Sequence, residues 1–214
     1  MSCSPVHAVG LKGNMRKQIV QIFHNMIGKR KAVPPVDTDA VIRPEHKDIP
    51  VLLSVFDSMA DRNNFDKMVN DMICEGHGRG CILVSDLDHF KEVNDIYGHD
   101  TGDAVMRNMV SVLYAHFATC ACVSRTGGDT FMLWIPEFSY EKAEYVRRQV
   151  GRVNDRLLHP DQELPPVSVS VGAAFYEAGD DCRSLGKKAN RMLYRVKESG
   201  RCGCEIYHNN ERTA

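Results

Sequence analysis

Apolar positions along this chain change their spacing from one segment to the next, and the spacing predicts the elements. Residues 11–29 place Met15, Ile19, Ile22, Phe23, Met26 and Ile27 on one helical face, closed by Gly28 and the basic trio Lys29-Arg30-Lys31. Pro34-Pro35, Pro44 and Pro50 then mark a linker. Phe65, Met68, Val69, Met72 and Ile73 give a second amphipathic helix, ended by Gly76. Cys81–Asp86 is a buried strand, followed by a polar, turn-rich stretch that leads into a helix over Gly102–Phe117. Runs at 120–125 and 131–136 flank Gly127-Gly128 and predict a hairpin whose two central residues take φ > 0. Ser139–Leu158 is a helix with Ala143, Val146, Val150, Val153 and Leu157 inward and Ser139 as its N-cap. Val167–Tyr176 is a strand, and Cys182–Ser199 is a helix with Leu185, Ala189, Met192, Leu193 and Val196 inward. Gly200 stands at its C-cap, and Cys202–Tyr207 is a closing strand. The order β-α-β-β-α-β, with an added helix and strand, predicts an α+β domain of ferredoxin-like pattern.

Composition narrows the partners. The 214 residues carry a net charge of −1, but residues 1–36 hold six cations and no acid, so the remainder is at −7. An acidic remainder argues against nucleic acid as the main ligand of the globular part. No run of 18 or more apolar residues and no signal-peptide core is present, so a cytoplasmic protein without a membrane span is expected. The basic N-terminal helix is expected to pack or to make a dimer contact, with membrane-surface and transit-peptide readings as alternatives. Eight cysteines include the pairs Cys120/Cys122 and Cys202/Cys204 but no Cys-x-x-Cys. Both pairs fall in strand-like runs, where cysteine acts as a small buried hydrophobe, so reduced thiols are expected rather than zinc.

The candidate chemistry lies at two turns. Ile82-Leu83-Val84-Ser85-Asp86-Leu87-Asp88 ends a strand in two acids that strand periodicity puts on one side. The hairpin Arg125-Thr126-Gly127-Gly128-Asp129-Thr130-Phe131 presents a further acid at its tip. Acids at a strand end beside a glycine-rich entry to a helix suit a nucleotide and Mg²⁺. These segments, together with Lys91, Asn94-Asp95, Gly98-His99 and Gly102-Asp103, resemble the GGDEF (diguanylate cyclase) family. So do Val167–Gly172, Ala189, Leu193-Tyr194, Lys197 and Gly200-Arg201, and the resemblance runs from about Asp61 to Tyr207 in family order.

The resemblance implies a palm-type, antiparallel-dominated sheet flanked by helices, the fold the pattern itself predicts. It divides the chain into a basic helix and linker (1–48), a GGDEF-like domain (49–210) and a tail (211–214). It implies a bacterial signalling protein whose substrate is GTP and whose product is cyclic di-GMP, made across a homodimer. Asp86 and Asp129 would be the catalytic carboxylates, holding Mg²⁺ or Mn²⁺ together with the backbone carbonyl of Leu87. Asn94 and Asp103 would read the guanine edge, an amide and a carboxylate being the right donor and acceptor types. Lys197 and Arg201 would meet the terminal phosphates, and Gly127 and Gly128 would let the nucleotide approach the backbone.

The pattern also breaks. Thr130 stands where the family has a glutamate, so a neutral hydroxyl replaces a charged metal ligand. Thr126 replaces an aromatic, Asn190 an aspartate and Cys202 an asparagine. The family's product-inhibition site, Arg-x-x-Asp, is replaced by Ala118-Thr119-Cys120-Ala121 and is therefore expected to be absent. Two readings follow: a diguanylate cyclase with weak or no turnover, or a non-catalytic GTP-binding, regulatory or dimerisation module. His89 and His99 are not expected to bind metal.

Overall fold

The structure, a computed structural model, describes residues 62–75, 79–117, 122–160 and 163–208. The N-terminal helix, the linker, Gly76 and the Ala118–Ala121 stretch lie outside these. The described elements run α1 (Arg62–Glu75), β1 (Gly80–Leu87), α2 (Phe90–Tyr97), α3 (His99–His116), β2 (Cys122–Gly127) and β3 (Thr130–Pro136). A short 3₁₀ turn (Tyr140–Lys142), α4 (Ala143–Leu158), β4 (Val169–Phe175), α5 (Cys182–Glu198) and β5 (Gly203–Ile206) follow.

The five strands form one sheet in the order β2-β3-β1-β4-β5. The central strand β1 is antiparallel to both β3 and β4, and only β4 and β5 are parallel, joined by the α5 crossover. Alternation in β1 assigns its two faces. Cys81, Leu83 and Leu87 join the core formed with α3 and α4, where Met109, Leu113, Val146 and Val150 are buried. Ile82 and Val84 face the opposite core, with Phe65 and Val69 of α1 and Leu185, Ala189 and Leu193 of α5. The expected α+β sheet flanked by helices is what forms. Trp134, fully buried, belongs to the α1/α5 core.

Gly172 explains how closely α5 sits on the sheet. A Cβ there would collide with the backbone of Ala189 and Leu193. Only glycine permits that approach, and the approach sets the height of everything α5 carries.

Four local expectations need correction. The polar stretch after β1 is not a turn region: Phe90–Tyr97 is a helix, and α3 begins at His99 rather than near Gly102. The hairpin pairs Gly127 with Thr130, leaving Gly128-Asp129 as its two-residue loop, and neither glycine takes a left-handed φ. The register shifts between Arg125 and Gly127 instead, and the Arg125 guanidinium clamps the tip by donating to the Gly128 carbonyl at 2.9 and 2.5 Å. Ser139 makes no capping bond and precedes the 3₁₀ turn, while the side-chain cap occurs at α5, where Asp181 and Ser184 form a reciprocal box. Finally, Cys202 lies in the turn before β5, not in a strand. Cys74, Cys81, Cys182, Cys202 and Cys204 are free thiols. Strands β2 and β5, which carry Cys122 and Cys204, are opposite edges of the sheet.

Candidate nucleotide site

The end of β1 is where the acids gather. Asp86 is the last residue of the strand facing α5, and its register partner on β3 is Thr130. It is only 8% exposed, yet both carboxylate oxygens are engaged. Thr130 Oγ1 donates to Oδ2 at 2.9 Å, and Lys197 Nζ of α5 sits 2.7 Å from Oδ1. Leu87, the final strand residue, donates its N–H toward the Asp129 carbonyl at 3.4 Å, which draws the hairpin tip over the strand end.

Asp129 is half-buried at that tip. Burial, reinforced by the nearby Asp86 charge, holds its carboxyl above the usual range, while Lys197 and Arg125 oppose the shift. The cost that burial and the Asp86 charge place on ionising Asp129 is one that a cation would relieve. Gly127 and Gly128 border it, and a Cβ on either would meet nothing within 4 Å. The tip is therefore bare on the outside.

A second cluster forms where α2 meets α3. Gly98 takes φ 85 and turns the chain between them. This brings Gly102 directly under the half-buried Asn94 carboxamide, where a Cβ would strike Asn94 Oδ1. Asp103 follows Gly102 and is exposed on the first turns of α3. The amide and the acid thus stand at one corner.

Asp88 was singled out only for sharing a side with Asp86, and it does: Asp86 meets Lys197 of α5, and Asp88 meets the chain leaving α5. Its carboxylate is buried and accepts from Ser168 Oγ at 2.7 Å, Ser170 Oγ at 2.6 Å and the Cys202 backbone N–H at 3.1 Å. Arg201 Nε lies 4.0 Å away. Desolvation raises the Asp88 carboxyl, and the serine hydroxyls, the Cys202 N–H and Arg201 pull it back. Sequence reasoning missed this role, although alternating Ser168 and Ser170 among valines is a signal of hydroxyls aimed at a buried acceptor.

Remaining candidates are plain. His89 holds Glu92 at 3.2 Å beside the start of α2, and His99 opens α3. Asn190 donates to Gly186 of its own helix at 2.9 Å. Among the described residues no group of three or more His, Cys, Asp or Glu side chains could hold a metal ion, and no helix is long and apolar enough to cross a membrane. A shallow concavity of about 580 Å³ on the outer face of α5 is lined by none of the predicted site residues.

With this geometry in view, the chain was compared with known proteins. The profile of the family described as "Diguanylate cyclase, GGDEF domain" matches residues 55–202. The chain belongs to the GGDEF family. Among curated relatives, this GGDEF chain is 33% identical over 130 residues to diguanylate cyclase DosC of Escherichia coli K12, a match covering 59% of this chain and 28% of the relative. The chain therefore spans under a third of that relative's length. It is also 34% identical over 129 residues, 58% of the chain and 36% of the relative, to the uncharacterized Bacillus subtilis protein YhcK. Among solved structures it resembles the GGDEF domain of DgcB from Caulobacter crescentus, determined in complex with c-di-GMP. The identity is 26%, the TM-score 0.61, and the coverage 81% of this chain and 99% of that one. The active GGEEF domain of a Vibrio cholerae diguanylate cyclase, at 22% identity, TM-score 0.63 and coverage of 71% and 99%, shares the fold.

Proposed function

We propose that this GGDEF domain binds GTP with a divalent cation, Mg²⁺ or Mn²⁺, and converts it to cyclic di-GMP weakly or not at all. The observation that carries this reading is the state of Asp86: one oxygen is taken by Lys197 at 2.7 Å and the other by Thr130 at 2.9 Å. A glutamate at position 130 would present a third carboxylate to the pocket. The threonine instead donates a hydrogen bond into the carboxylate that is left, so negative charge is reduced where a dication needs it.

The donor set fits a dication in part. Asp86, Asp129 and the Leu87 carbonyl are hard oxygen ligands of the type Mg²⁺ takes, and the Asp129 carboxyl is raised by burial and by the Asp86 charge, both of which favour a cation beside it. When bound, the ion would offset phosphate charge during nucleotidyl transfer. Lys197 has to leave Asp86 to meet a terminal phosphate, with Arg201 beside it. Asn94 and Asp103 take the guanine edge, the carboxylate accepting from the N1–H and N2–H₂ donors.

Turnover requires two copies of the domain facing one another. The 3′-hydroxyl of each GTP attacks the α-phosphorus of the other. A new O–P bond forms, the bond to the β-phosphate bridge breaks, pyrophosphate leaves, and the hydroxyl proton is released. The domain acts in the cytoplasm, where GTP is supplied, and the Arg-x-x-Asp route of product inhibition is closed to it. The second reading, a non-catalytic GTP-binding, regulatory or dimerisation module, is favoured by the same residue, Thr130.

Incubation with GTP and Mg²⁺ or Mn²⁺, with product read by chromatography, tests the catalytic half. Robust synthesis by the unaltered protein would sink the weak-turnover reading. Calorimetry showing no GTP binding at high protein concentration would sink both readings.

A further inference from the structure

The chain leaves α5 through an unusual path. Gly200, Arg201 and Cys202 take φ 98, 61 and 52, three consecutive left-handed residues of which two carry side chains. Each such non-glycine residue costs about 1–2 kcal/mol relative to an ordinary conformation. Something must hold the turn. The Arg201 N–H donates to the Val196 carbonyl at 2.8 Å, which fixes its first part. The second part is tied down by the bond from the Cys202 N–H to Asp88 Oδ2 at 3.1 Å.

Asp88 is well built for this. It is 2% exposed, and its own N–H is tied to the Ser168 carbonyl at 2.9 Å. Both oxygens also receive a serine hydroxyl from the strand alongside. A carboxylate held from three directions cannot follow the loop, so the loop follows it. Oδ1 also lies 4.0 Å from Arg201 Nε, and Arg201 acts electrostatically on Glu92 of α2 as well.

We infer that Asp88 is a positioning residue: its buried carboxylate fixes the left-handed turn Gly200–Cys202 and so sets where the Arg201 guanidinium meets the phosphates of a bound nucleotide. The inference rests on the nucleotide reading above for its ligand, but the anchor itself does not. Asp86 would hold the metal in that reading, whereas Asp88 touches neither metal nor phosphate and works through Arg201.

The test uses the full chain with the isosteric change Asp88→Asn, alone and with Arg201→Ala. Calorimetric affinities for GTP and GMP are compared, together with the rate of Cys202 alkylation mapped by mass spectrometry. Asp88→Asn is expected to weaken GTP roughly tenfold, as loss of a ligand-orienting group does. It should leave GMP unchanged and add nothing in the Arg201→Ala background, because a residue that acts through another is non-additive with it. Cys202 should label faster in the variant. Equal losses for GTP and GMP, or additive losses in the double variant, would overturn the positioning role in favour of a merely structural one. If the unaltered protein binds no GTP, the nucleotide reading and the phosphate role fall together. Unchanged Cys202 labelling would then remove the anchor too, while faster labelling would establish the anchor on its own.

Discussion

The two corners of the site are built on opposite principles. At the α2–α3 corner the groups that would read a base are left open: the Asn94 carboxamide rests on Gly102, and Asp103 is exposed beside it. At the β1–β3–α5 corner the chain has answered its own charge, with Lys197 and Thr130 on the two oxygens of Asp86. The first corner is open, whereas at the second a bound nucleotide of the proposed kind has to displace Lys197 from Asp86. In the proposed reading, the difference teaches how recognition of a nucleotide can outlast its chemistry. Threonine at position 130 supplies, in that reading, no anionic metal ligand, and its hydroxyl donates into Asp86 instead.

The comparison can be broken at its supports. The largest effect is expected from Gly172→Ala, because the new methyl meets backbone atoms of Ala189 and Leu193, which cannot rotate away. We expect a stability loss of about 3 kcal/mol, the upper part of the usual overpacking range. It should be visible as a melting-temperature drop of roughly 6–12 °C. An unchanged melting temperature would mean that α5 is not seated as described.

Gly102→Ala is the complementary break. Its methyl strikes the end of the Asn94 side chain, which can move, and otherwise makes ordinary contact with the Phe90 ring. Stability should change by less than about 1 kcal/mol, while GTP affinity falls on the order of tenfold by loss of base hydrogen bonds. Unaltered GTP affinity by calorimetry would remove Asn94 from the site.

Asp129→Asn gives the smallest effect and carries a sign. Burial and Asp86 raise the Asp129 carboxyl, so the folded protein holds that proton more tightly than the unfolded chain does. Its contribution to stability is therefore fullest below the unfolded carboxylate range and is lost as pH rises through the raised folded value. The amide should make the apo protein more stable at neutral pH, by less than about 1 kcal/mol because the site is half open to solvent. The advantage should vanish on acidification, and the Mg²⁺ dependence of GTP binding should vanish with the carboxylate. Melting curves from neutral pH down through the carboxylate range decide it.

Much of the fold was legible because local patterning agrees with it. The continuous apolar run that opens Cys81–Asp86 and the apolar faces of α1, α4 and α5 were all readable before any contact was known. The candidate site residues stood out as types and spacings. What could not be read depends on partners distant in sequence. That Lys197 lies on Asp86, and that Asp88 is held by Ser168, Ser170 and Cys202, follows only once α5 and β4 are stacked on β1. Helix α2 was hidden because Asn94, Asp95 and Gly98 read as turn residues, while Val93 is its one buried side chain. The hairpin glycines misled because Arg125 clamps the tip and a bulge relieves it, so no left-handed pair is required. Residues 1–36, where the charge asymmetry lies, fall outside the described structure.

The most direct test of the account is a side-by-side assay of cyclic di-GMP formation by the unaltered protein and by Thr130→Glu, at GTP and Mg²⁺ concentrations where calorimetry shows both to be saturated. The account predicts little or no product from the unaltered protein and a rise of about tenfold or more in the variant, the scale on which one metal ligand matters. Rapid synthesis by the unaltered protein, or bound GTP that stays unconverted in the variant as well, would contradict it.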